Sequence, residues 1–544
     1  MHSNSLAHVD MVCKQQIDAI KIILFFLLVT LVFSVNSADA GTSKKKRPSI
    51  TISQFNDLAK TGRVTNRFMK GLKLSGADLK NIKIDKTVLR GVNFTGGNLS
   101  GSTIQDCDFV RSSMVKANLN GSRLIRSRVD KTSIKNARMS YALISGCDVS
   151  GSDFKNADLT GVEINQSNFK GVDFENSRFS YAHINSDFSE VNFKNSDFHG
   201  SFLVNTVFYN SDFTNINLSG AKLDKVYFKS KGTLFFKLKG TNFSFAVLKS
   251  VIMRHADLGS AFMNGMYVED SDFSSSRFCN SLINNATLVQ SSMAESDLRY
   301  VEIKNATIEE TGFAGSNLSG ADFYSSSIEK SVFDNTILNG TLFTNVSLSR
   351  SSFKRAEIVG VTFENATLTD INLTQSRIRK SRFKNSELNR IVLNGATINQ
   401  IDLSGKKISE LSLKNAKLQN VNFSNANLQD ADLSGSVLVN CNLSQVNLTG
   451  VNLKGCVFKN SDMSNAVMKR AEVKNATFYN VKAVNVDFSE ASLKNALFEN
   501  SNLHGADLFK ADIKGAVFKK TNLKKLKNKS KALNSNKAVG LDPV

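Results

Sequence analysis

The amino-acid sequence predicts an all-β fold in which the chain winds into a parallel β-helix with short flat sides. Two observations support this prediction. Large apolar residues recur at every fifth position, as at Phe423, Leu428, Leu433 and Leu438. A small residue, usually Ala, Ser, Thr, Val, Cys or Gly, lies two positions before each of them. A helix face would recur every 3.6 residues and a half-buried strand every two, so neither element explains a period of five.

The five-residue period runs through most of the chain. It extends over residues 74–184, shifts by one residue, and continues over residues 188–523. These ranges contain 91 positions in phase, and only Thr233 and Ala483 are not Val, Ile, Leu, Met or Phe. We call the large residue of each five-residue unit the central residue, and the small one two positions earlier the small inward residue.

Each unit predicts one flat side followed by a corner. Two inward residues separated by one outward residue form a short piece of extended chain. The other residues of the unit, rich in Gly, Asn, Ser and Asp, favour tight turns. Four sides would close a coil of about twenty residues, with coils stacked at about 4.8 Å and a right-handed path. A period of five would also permit a three-sided coil.

Three segments carry a family resemblance: SGADLKN at 75–81, KNADLTG at 155–161 and QDADLSG at 429–435. They resemble the A-(D/N)-L-x-x motif of the pentapeptide repeat proteins, and the resemblance covers nearly all of residues 74–523. It implies that family's right-handed quadrilateral β-helix, here with about 23 coils. It implies little about activity, because members of this family share a fold and do different things.

Residues 1–40 predict a signal peptide. Ile22–Val35 is a fourteen-residue stretch without a charge, which is short for a membrane span and typical of a signal peptide. The sequence Ala38-Asp39-Ala40 predicts cleavage after Ala40. A start at Met11 would give a more ordinary signal than a start at Met1. We therefore expect export to the periplasm or the exterior of a bacterial cell; an uncleaved segment would instead tether the chain to the membrane.

The flanks of the repeat region have different characters. Residues 41–50 form a basic linker, and residues 51–73 predict a capping helix with a lead-in to the coil. Thr51 and Gln54 make a capping-box pattern, Gly62 suits a helix end, and the helix would cover the open edge of the first coil. Residues 524–544 are rich in lysine and lack periodicity, which predicts a basic disordered tail.

The charge of the chain lies mostly in these flanks. The formal net charge is +21, but residues 74–518 hold 50 basic and 43 acidic residues. Basic tails attract anionic lipid, cell-envelope polymers or nucleic acid without specificity, and they also serve solubility. We expect a protein or an anionic cell-envelope partner that binds through the polar faces and basic tails, and no specific nucleic-acid binding.

No motif for catalysis, cofactor binding or metal binding is present in the sequence. The histidines share no ligand spacing, and the many carboxylates just before central residues, such as Asp432 and Asp507, are interpreted as structural. We therefore predict no catalytic, cofactor or metal site. Four cysteines occupy small inward positions, where a thiol behaves as a compact apolar group, and Cys279 should point outward as a reactive or an inert thiol. The four are Cys107, Cys147, Cys441 and Cys456.

Three irregularities interrupt the pattern. The one-residue shift near 185–188 predicts an offset in the coil. The stretch 229–240 places Lys231 and Thr233 where inward residues belong, so it either loops out to present Leu234, Phe235 and Phe236 for a partner or membrane, or folds its phenylalanines inward. Lys406 occupies a small inward position and predicts a bulge.

Three functional hypotheses follow. The first is an exported, non-enzymatic, rod-like scaffold with polar faces for binding, which loses little entropy because it is preformed. The second, implied by the resemblance, is a mimic of duplex DNA that binds topoisomerases, but such mimicry needs an acidic rod and this one is basic. The third is an enzyme acting on polysaccharides, which the scarcity of loops and motifs disfavours.

Overall fold

The structure, a computed structural model, describes residues 47–541. The predictions of a signal peptide or anchor at 1–40, and of most of the basic linker, concern residues outside this range. Within it the described residues bury one continuous apolar core among themselves. A chain that begins at Gly41 therefore retains every residue of this core.

The coil has four sides. Strand residues pair in parallel with residues 20 positions later, as Ile84 pairs with Ile104 and Ile104 with Leu124. Because each side takes five residues, a step of 20 closes a square coil and rules out the three-sided alternative. The prediction of a quadrilateral parallel β-helix is confirmed. Its roughly 23 coils give a rod about 110 Å long.

Four faces run along the rod, numbered I to IV in the order in which the chain visits them. Face I carries an 18-stranded sheet, face III carries a two-stranded and a nine-stranded sheet, and face II carries a two-stranded and a three-stranded sheet. Face IV is joined by isolated bridges, such as Asp158 to Arg178. Strands β1 to β34 are numbered in chain order.

The strands of face I are β1 Arg63–Thr65, β3 Lys83–Asp85, β5 Thr103–Gln105, β6 Arg123–Ile125, β7 Leu143–Ser145, β8 Glu163–Asn165, β9 His183–Asn185, β11 Phe202–Val204, β13 Lys222–Asp224, β16 Val247–Lys249, β18 Tyr267–Glu269, β19 Thr287–Val289, β20 Thr307–Glu309, β21 Ser327–Glu329, β22 Ser347–Ser349, β24 Thr367–Asn372, β26 Glu387–Val392 and β28 Ile408–Ser409. The strands of face II are β2 Phe68–Lys70, β4 Val88–Arg90, β10 Phe188–Ser189, β12 Val207–Tyr209 and β14 Tyr227–Lys229. The strands of face III are β15 Phe236–Lys237, β17 Ala256–Asp257, β23 Glu357–Val359, β25 Arg377–Arg379, β27 Thr397–Asn399, β29 Lys417–Gln419, β30 Val437–Val439, β31 Val457–Lys459, β32 Thr477–Tyr479, β33 Leu497–Glu499 and β34 Val517–Lys519.

The corners explain the Gly and Asn content of the repeat. At the corner 74–77 the main-chain N–H of Ala77 donates to the carbonyl oxygen of Leu74 at 3.2 Å, and Gly76 between them has a φ of 70°. This is the geometry of a tight turn whose third residue must be left-handed. Asn81, with a φ of 58°, does the same at the next corner. Asn tolerates this conformation better than most residues with a side chain.

The central residues fill the axis of the rod. From Leu74 to Phe518 they are almost completely buried, except Thr233, which is exposed, and Phe383, which is half-buried. Phenylalanines in successive coils stack face to face, as in Phe458, Phe478 and Phe498, whose ring centroids lie 5.0 Å and 4.5 Å apart. Offset or parallel stacking adds to the apolar burial that holds the coils together.

Most small inward residues with a hydroxyl satisfy it with the main chain, whereas the buried hydroxyls of Ser102, Ser122, Ser201 and Ser376 have no partner among the described residues. The hydroxyl of Ser112 donates to the carbonyl oxygen of Leu89 at 2.6 Å and accepts from the N–H of Val92 at 3.1 Å. A buried hydroxyl with both bonds costs little. Serine is therefore as acceptable here as alanine, which explains its frequency in this column.

A helix covers the first coil, as the sequence predicts. Helix α1 spans Ile52–Lys60, and Thr51 and Gln54 form its capping box. Phe55 of this helix is fully buried. The coil begins earlier than the predicted 74, because β1 already pairs with β3. Most of the predicted lead-in is thus part of the coil.

The structure corrects the prediction of a disordered tail for residues 524–541. Two 3₁₀ turns, Lys529–Lys531 and Ser535–Lys537, lie in an added turn of chain over the last coil. The N–H groups of Lys527, Leu533 and Val539 each donate to a carbonyl of the coil below at 2.8 Å. The composition suggested disorder, but the open edge of the last coil supplies hydrogen-bond partners that order the chain. Residues 542–544 lie outside the described residues.

Candidate functional site

The outward side chains form ladders that run along the faces of the rod. The amide of Asn365 donates to that of Asn345 at 3.1 Å, and Asn385 donates to Asn365 at the same distance. The carboxylates before central residues also have structural roles, since Asp158 accepts the N–H of Thr160 at 3.1 Å. Much of the hydrogen-bonding capacity of the faces is therefore used within the rod.

Ion pairs neutralise much of the charge on these faces. Lys155, for example, lies between Asp173 and Glu175, at 3.1 Å and 3.0 Å from their carboxylates. Exposed pairs of this kind contribute little to stability, because solvent screens them. Their effect is to reduce the net charge of the faces where they occur.

The structure contains the predicted one-residue shift, and a carboxylate replaces the hydrogen-bond acceptor that the shorter coil lacks. Ile184 pairs with Leu203, a step of 19 residues, so this coil is one residue short. The N–H of Val207 donates to Oδ1 of Asp187 at 3.1 Å. In the next coils the equivalent N–H donates to a main-chain carbonyl, as that of Tyr227 does to Thr206 at 3.0 Å. Asp187 therefore replaces a main-chain acceptor.

Burial shifts the pKa values of Asp187 and of Lys229 beside this shorter coil. It raises the pKa of Asp187, against the opposing effects of the Val207 N–H and of Lys229. Burial also lowers the pKa of Lys229, which is half-buried nearby. A carboxyl whose pKa is higher in the folded state stabilises the fold at low pH, and this contribution is lost as the pH rises through the folded pKa.

We predict that Asp187→Asn keeps the bond from Val207 and weakens the fall in unfolding free energy that the raised pKa of Asp187 causes as the pH rises above about 4. Asp187→Ala removes the acceptor and should cost about 1–3 kcal/mol. Denaturant unfolding of both variants across this pH range is the measurement. Equal losses in the two variants would show that Asp187 does not act as an acceptor.

The stretch 229–240 both loops out and folds inward. Asp212 pairs with Lys237, a step of 25 residues, so five extra residues leave the wall. Leu234 is 62% exposed, whereas Phe236 is 1% exposed. Phe235 is half-buried, with the Arg277 guanidinium 3.9 Å above its ring. The predicted apolar cluster is therefore split, and only Leu234 among its apolar residues is freely exposed.

Phe236 fills a small inward position because the five extra residues displace the chain until Phe236, rather than Lys231, pairs with Ala256 of the next coil. Its ring lies 5.3 Å from that of Phe228 and 5.7 Å from that of Phe213. The exposure of Leu234 follows from the same displacement. The outcome combines both alternatives of the sequence analysis.

We predict that Phe236→Ala lowers the unfolding free energy by about 3–5 kcal/mol, because it empties a buried position. Leu234→Ala, two residues away, is the matched control and should change it by less than about 0.5 kcal/mol. Chemical denaturation measures both. A larger loss for the Leu234 variant would mean that the loop packs the other way.

Lys406 lies at the second place where a side chain replaces a main-chain hydrogen-bonding group of the wall. Its Nζ donates to the carbonyl oxygen of Ser386 at 2.9 Å. In the preceding coil the equivalent oxygen, that of Ala366, accepts the N–H of Glu387 at 2.9 Å. Burial lowers the pKa of Lys406. The predicted bulge is thus a wall in which a side-chain ammonium replaces a main-chain donor.

The axis beside Lys406 is loosely packed. A cavity of about 40 Å³ lies there, lined entirely by apolar side chains. Leu393 and Leu403 beside it are 8% and 7% exposed, more than most central residues, and Phe383 is only half-buried. The long side chain in a small position therefore disturbs the packing of its neighbours.

We predict that Lys406→Ala raises the unfolding free energy by about 1 kcal/mol, because it removes a half-buried charge and lets the main chain bond to Ser386. Lys406→Met keeps the stem without the donor and should cost about 1–3 kcal/mol. Melting of the two variants beside the wild type is the measurement. A methionine variant more stable than the wild type would contradict the role of the Lys406 ammonium as the donor to Ser386.

Exposed aromatic residues line one edge of the rod. Tyr141, Tyr181 and Phe245 are 75%, 55% and 71% exposed and share the corner between faces IV and I. Tyr181 lies two coils from Tyr141, about 10 Å, and Phe245 three coils further, about 14 Å. We call these three residues the aromatic edge.

A glycine in the next coil makes room for each ring of the aromatic edge. Tyr141 lies over Gly161, and a Cβ added to Gly161 would come 2.6 Å from the Tyr141 ring. Tyr181 and Gly200, and likewise Phe245 and Gly265, repeat this arrangement. Gly161 also has a φ of 65°, so only glycine suits it on both counts. The rings are thus held against the rod while staying exposed.

Models of the pentapeptide repeat match the sequence at many places. The model described as pentapeptide repeats in eight copies matches residues 73–109, 137–176, 186–224, 333–370, 356–395 and 408–445, and the model described as a pentapeptide repeat region matches residues 451–528. Together they cover more than half of the chain. This chain belongs to the pentapeptide repeat family.

Solved pentapeptide repeat proteins resemble this member of the family. QnrB1, a plasmid-mediated fluoroquinolone resistance protein, is 20% identical over 35% of this chain and 84% of its own, with a TM-score of 0.24. A protein from the Arabidopsis thaliana thylakoid lumen is 25% identical over 18% and 69%, with a TM-score of 0.17. HetL from the cyanobacterium Nostoc, involved in heterocyst differentiation regulation, is 19% identical over 53% and 90%, with a TM-score of 0.12. No curated protein matches the sequence.

The thiols of this pentapeptide repeat protein are mostly buried. Cys107, Cys147, Cys441 and Cys456 face inward, and burial raises their pKa to about 12, 11, 11 and 12. Cys279 is half-buried, and burial followed by Asp297 raises its pKa, which disfavours the nucleophilic thiolate. The inert interpretation of Cys279 is therefore favoured over the reactive one.

Residues 47–541 contain neither a metal-binding cluster nor a helix suited to a membrane. No cluster of three or more His, Cys, Asp or Glu within this range is arranged to hold a metal ion. No helix of the same residues is long and apolar enough to cross a membrane. His183 and His199 lie close to other rings, 4.8 Å from that of Phe202 and 5.5 Å from that of Tyr181 respectively.

Proposed function

We propose that this pentapeptide repeat protein is an exported, non-enzymatic binding scaffold. Its rod presents polar faces, and above all the aromatic edge, to a protein or an anionic cell-envelope polymer. The aromatic edge carries the proposal, because aromatic residues are enriched in binding interfaces and tyrosine is among the residues that most often anchor a partner. A rigid row of rings loses little entropy when it binds.

The faces support a binding function more than the alternatives. Residues 91–500 hold 44 basic and 39 acidic residues, so this part of the rod lacks the acidic charge that mimicry of DNA requires. The carboxylates of the regular coils are engaged by main-chain N–H groups and by lysines, as Asp432 is by Ser434 and Lys414. Such carboxylates serve the fold and suit neither acid nor base catalysis.

The aromatic edge gives the sharpest test of the binding function. The triple variant Tyr141→Ala, Tyr181→Ala, Phe245→Ala should reduce capture of cell-envelope material from the native source at least tenfold, because a lost anchor costs about 2 kcal/mol or more. Tyr300→Ala is the matched control, since Tyr300 is 63% exposed and lies over Gly320 on a different corner. Mass spectrometry of captured material is the measurement, and equal capture by all three proteins would refute the proposal.

Export is the second part of the proposal, and it is supported by Ile22–Val35 and the small residues before Gly41. Fractionation of the native source with N-terminal sequencing tests it. We expect the mature chain to begin at Gly41 and to lie outside the cytoplasm. A chain that still carries Ile22–Val35 in the membrane fraction would replace the exported form with a tethered one.

A further inference from the structure

Positive charge is concentrated at the two ends of the rod. Residues 501–541, the C-terminal pole, hold ten lysines and two aspartates. Residues 47–90, the N-terminal pole, hold ten basic and three acidic residues. The 410 residues between them have an excess of only five positive charges. The rod is therefore basic at both ends and nearly neutral on average between them, where basic stretches such as 111–138 and 371–420 alternate with acidic stretches such as 141–200 and 295–334.

The charges of each pole surround the end of the rod. At the C-terminal pole exposed lysines occupy every face, namely Lys527 on face I, Lys514 on face II, Lys519 on face III and Lys524 on face IV. At the N-terminal pole Lys83, Lys70, Lys73 and Lys80 do the same in that order of faces. A ring of this kind attracts a surface that meets the rod end-on.

Ion pairs are concentrated outside the poles. Only four of the ion pairs between described residues involve a residue of either pole: Lys60 with Asp57, Arg90 with Asp108, Lys494 with Asp512, and Lys519 with Glu499. Most of the cations of the poles are therefore available to a partner. Their density is fixed by the ordered end of the chain, where Lys510 and Lys531 both lie over the ring of Phe509, at 5.2 Å and 5.4 Å.

The chemistry of the poles favours an anionic lipid surface. The C-terminal pole contains lysine and no arginine, and lysine attracts charge without the paired hydrogen bonds that select one phosphate or carboxylate geometry. Clusters of about four to eight such cations bind anionic bilayers. A long linear polyanion would need a continuous basic track along the rod, and acidic stretches such as residues 295–334, with eight acidic and three basic residues, interrupt any such track.

We propose that each pole binds an anionic lipid surface, so that one rod tethers two such surfaces about 100 Å apart. This goes beyond the proposed binding function, which rests on the aromatic edge. A rod with a single basic end would bind one surface only. The second basic end converts binding into bridging, since a stiff rod held end-on by one pole keeps the other pole about 100 Å from that surface, where it meets a second one.

The test uses the chain from Gly41 to Val544 and vesicles of phosphatidylcholine with about 30% phosphatidylglycerol. Sedimentation measures binding and light scattering measures clustering of vesicles. One variant replaces Lys520, Lys524, Lys525 and Lys527 with glutamine, and a second replaces Lys70, Lys73, Lys80 and Lys83. The matched control replaces four exposed lysines of the middle that have no ion pair, namely Lys380, Lys417, Lys459 and Lys474.

We expect the wild type and the control to bind and cluster the vesicles, and both effects to disappear in about 0.5 M salt. Each single-pole variant should still bind and lose clustering, and the combined variant should lose both. Circular dichroism and melting confirm that every variant is folded.

Undiminished clustering by a single-pole variant, equal loss in the control, or equal binding to vesicles of phosphatidylcholine alone would overturn the proposal. Binding to dextran sulfate without binding to vesicles would assign the poles to a soluble polymer and would also overturn it. The aromatic edge is unchanged in every variant, so capture of its partner reports on the proposed binding function separately.

Discussion

The structure depends on the hydrogen bonds that each coil makes to the coils above and below it. In a closed stack of parallel sides, a main-chain N–H or carbonyl without a partner costs free energy. Every N–H and carbonyl of a side therefore needs a partner one coil away. This constraint explains both irregular places in the wall. Where a coil is one residue short, the carboxylate of Asp187 accepts the N–H of Val207. Where Lys406 stands in a small position, its ammonium donates to Ser386. The same constraint explains the two ends. Helix α1 covers the first coil, and the lysine-rich tail pairs with the last one.

The regular part of the fold could be predicted from the sequence because one side chain per unit reports directly on the geometry. A central residue every five positions and a corner residue that tolerates a positive φ, such as Gly76 or Asn81, define the sides and corners without knowledge of distant contacts. The period of five alone permits three or four sides per coil, because the number of sides depends on how the coils stack. The family resemblance implies four.

The irregular parts depend on contacts that no local pattern contains. Phe236 is buried and Leu234 exposed because Phe213 and Phe228 leave space at only one of these positions. The tail is ordered because the coil beneath it offers carbonyl oxygens as hydrogen-bond acceptors. The lysine-rich composition of the tail gives no indication of these acceptors. The aromatic edge was missed for the same reason. A search for aromatic residues followed about twenty positions later by glycine, as in Tyr141 and Gly161, would have found it.

The division of charge and aromatic residues suggests how one simple rod separates its contacts. The faces satisfy their own polar groups, the aromatic edge presents apolar surface along one corner, and the basic residues surround the ends. Each feature lies on a part of the coil that the core leaves free to vary.

The central claim is that the central residues fill a dry axis while their neighbours in sequence face solvent. Comparing Leu433→Asp with Ser434→Asp tests it most directly, because Leu433 is fully buried and Ser434 lies in the outward column between Lys414 and Lys454. The account predicts that the Leu433 variant loses about 3–5 kcal/mol of unfolding free energy or fails to fold, since it buries an unpaired charge. The Ser434 variant should stay within about 0.5 kcal/mol of the wild type. Equal stability of the two variants would contradict the account.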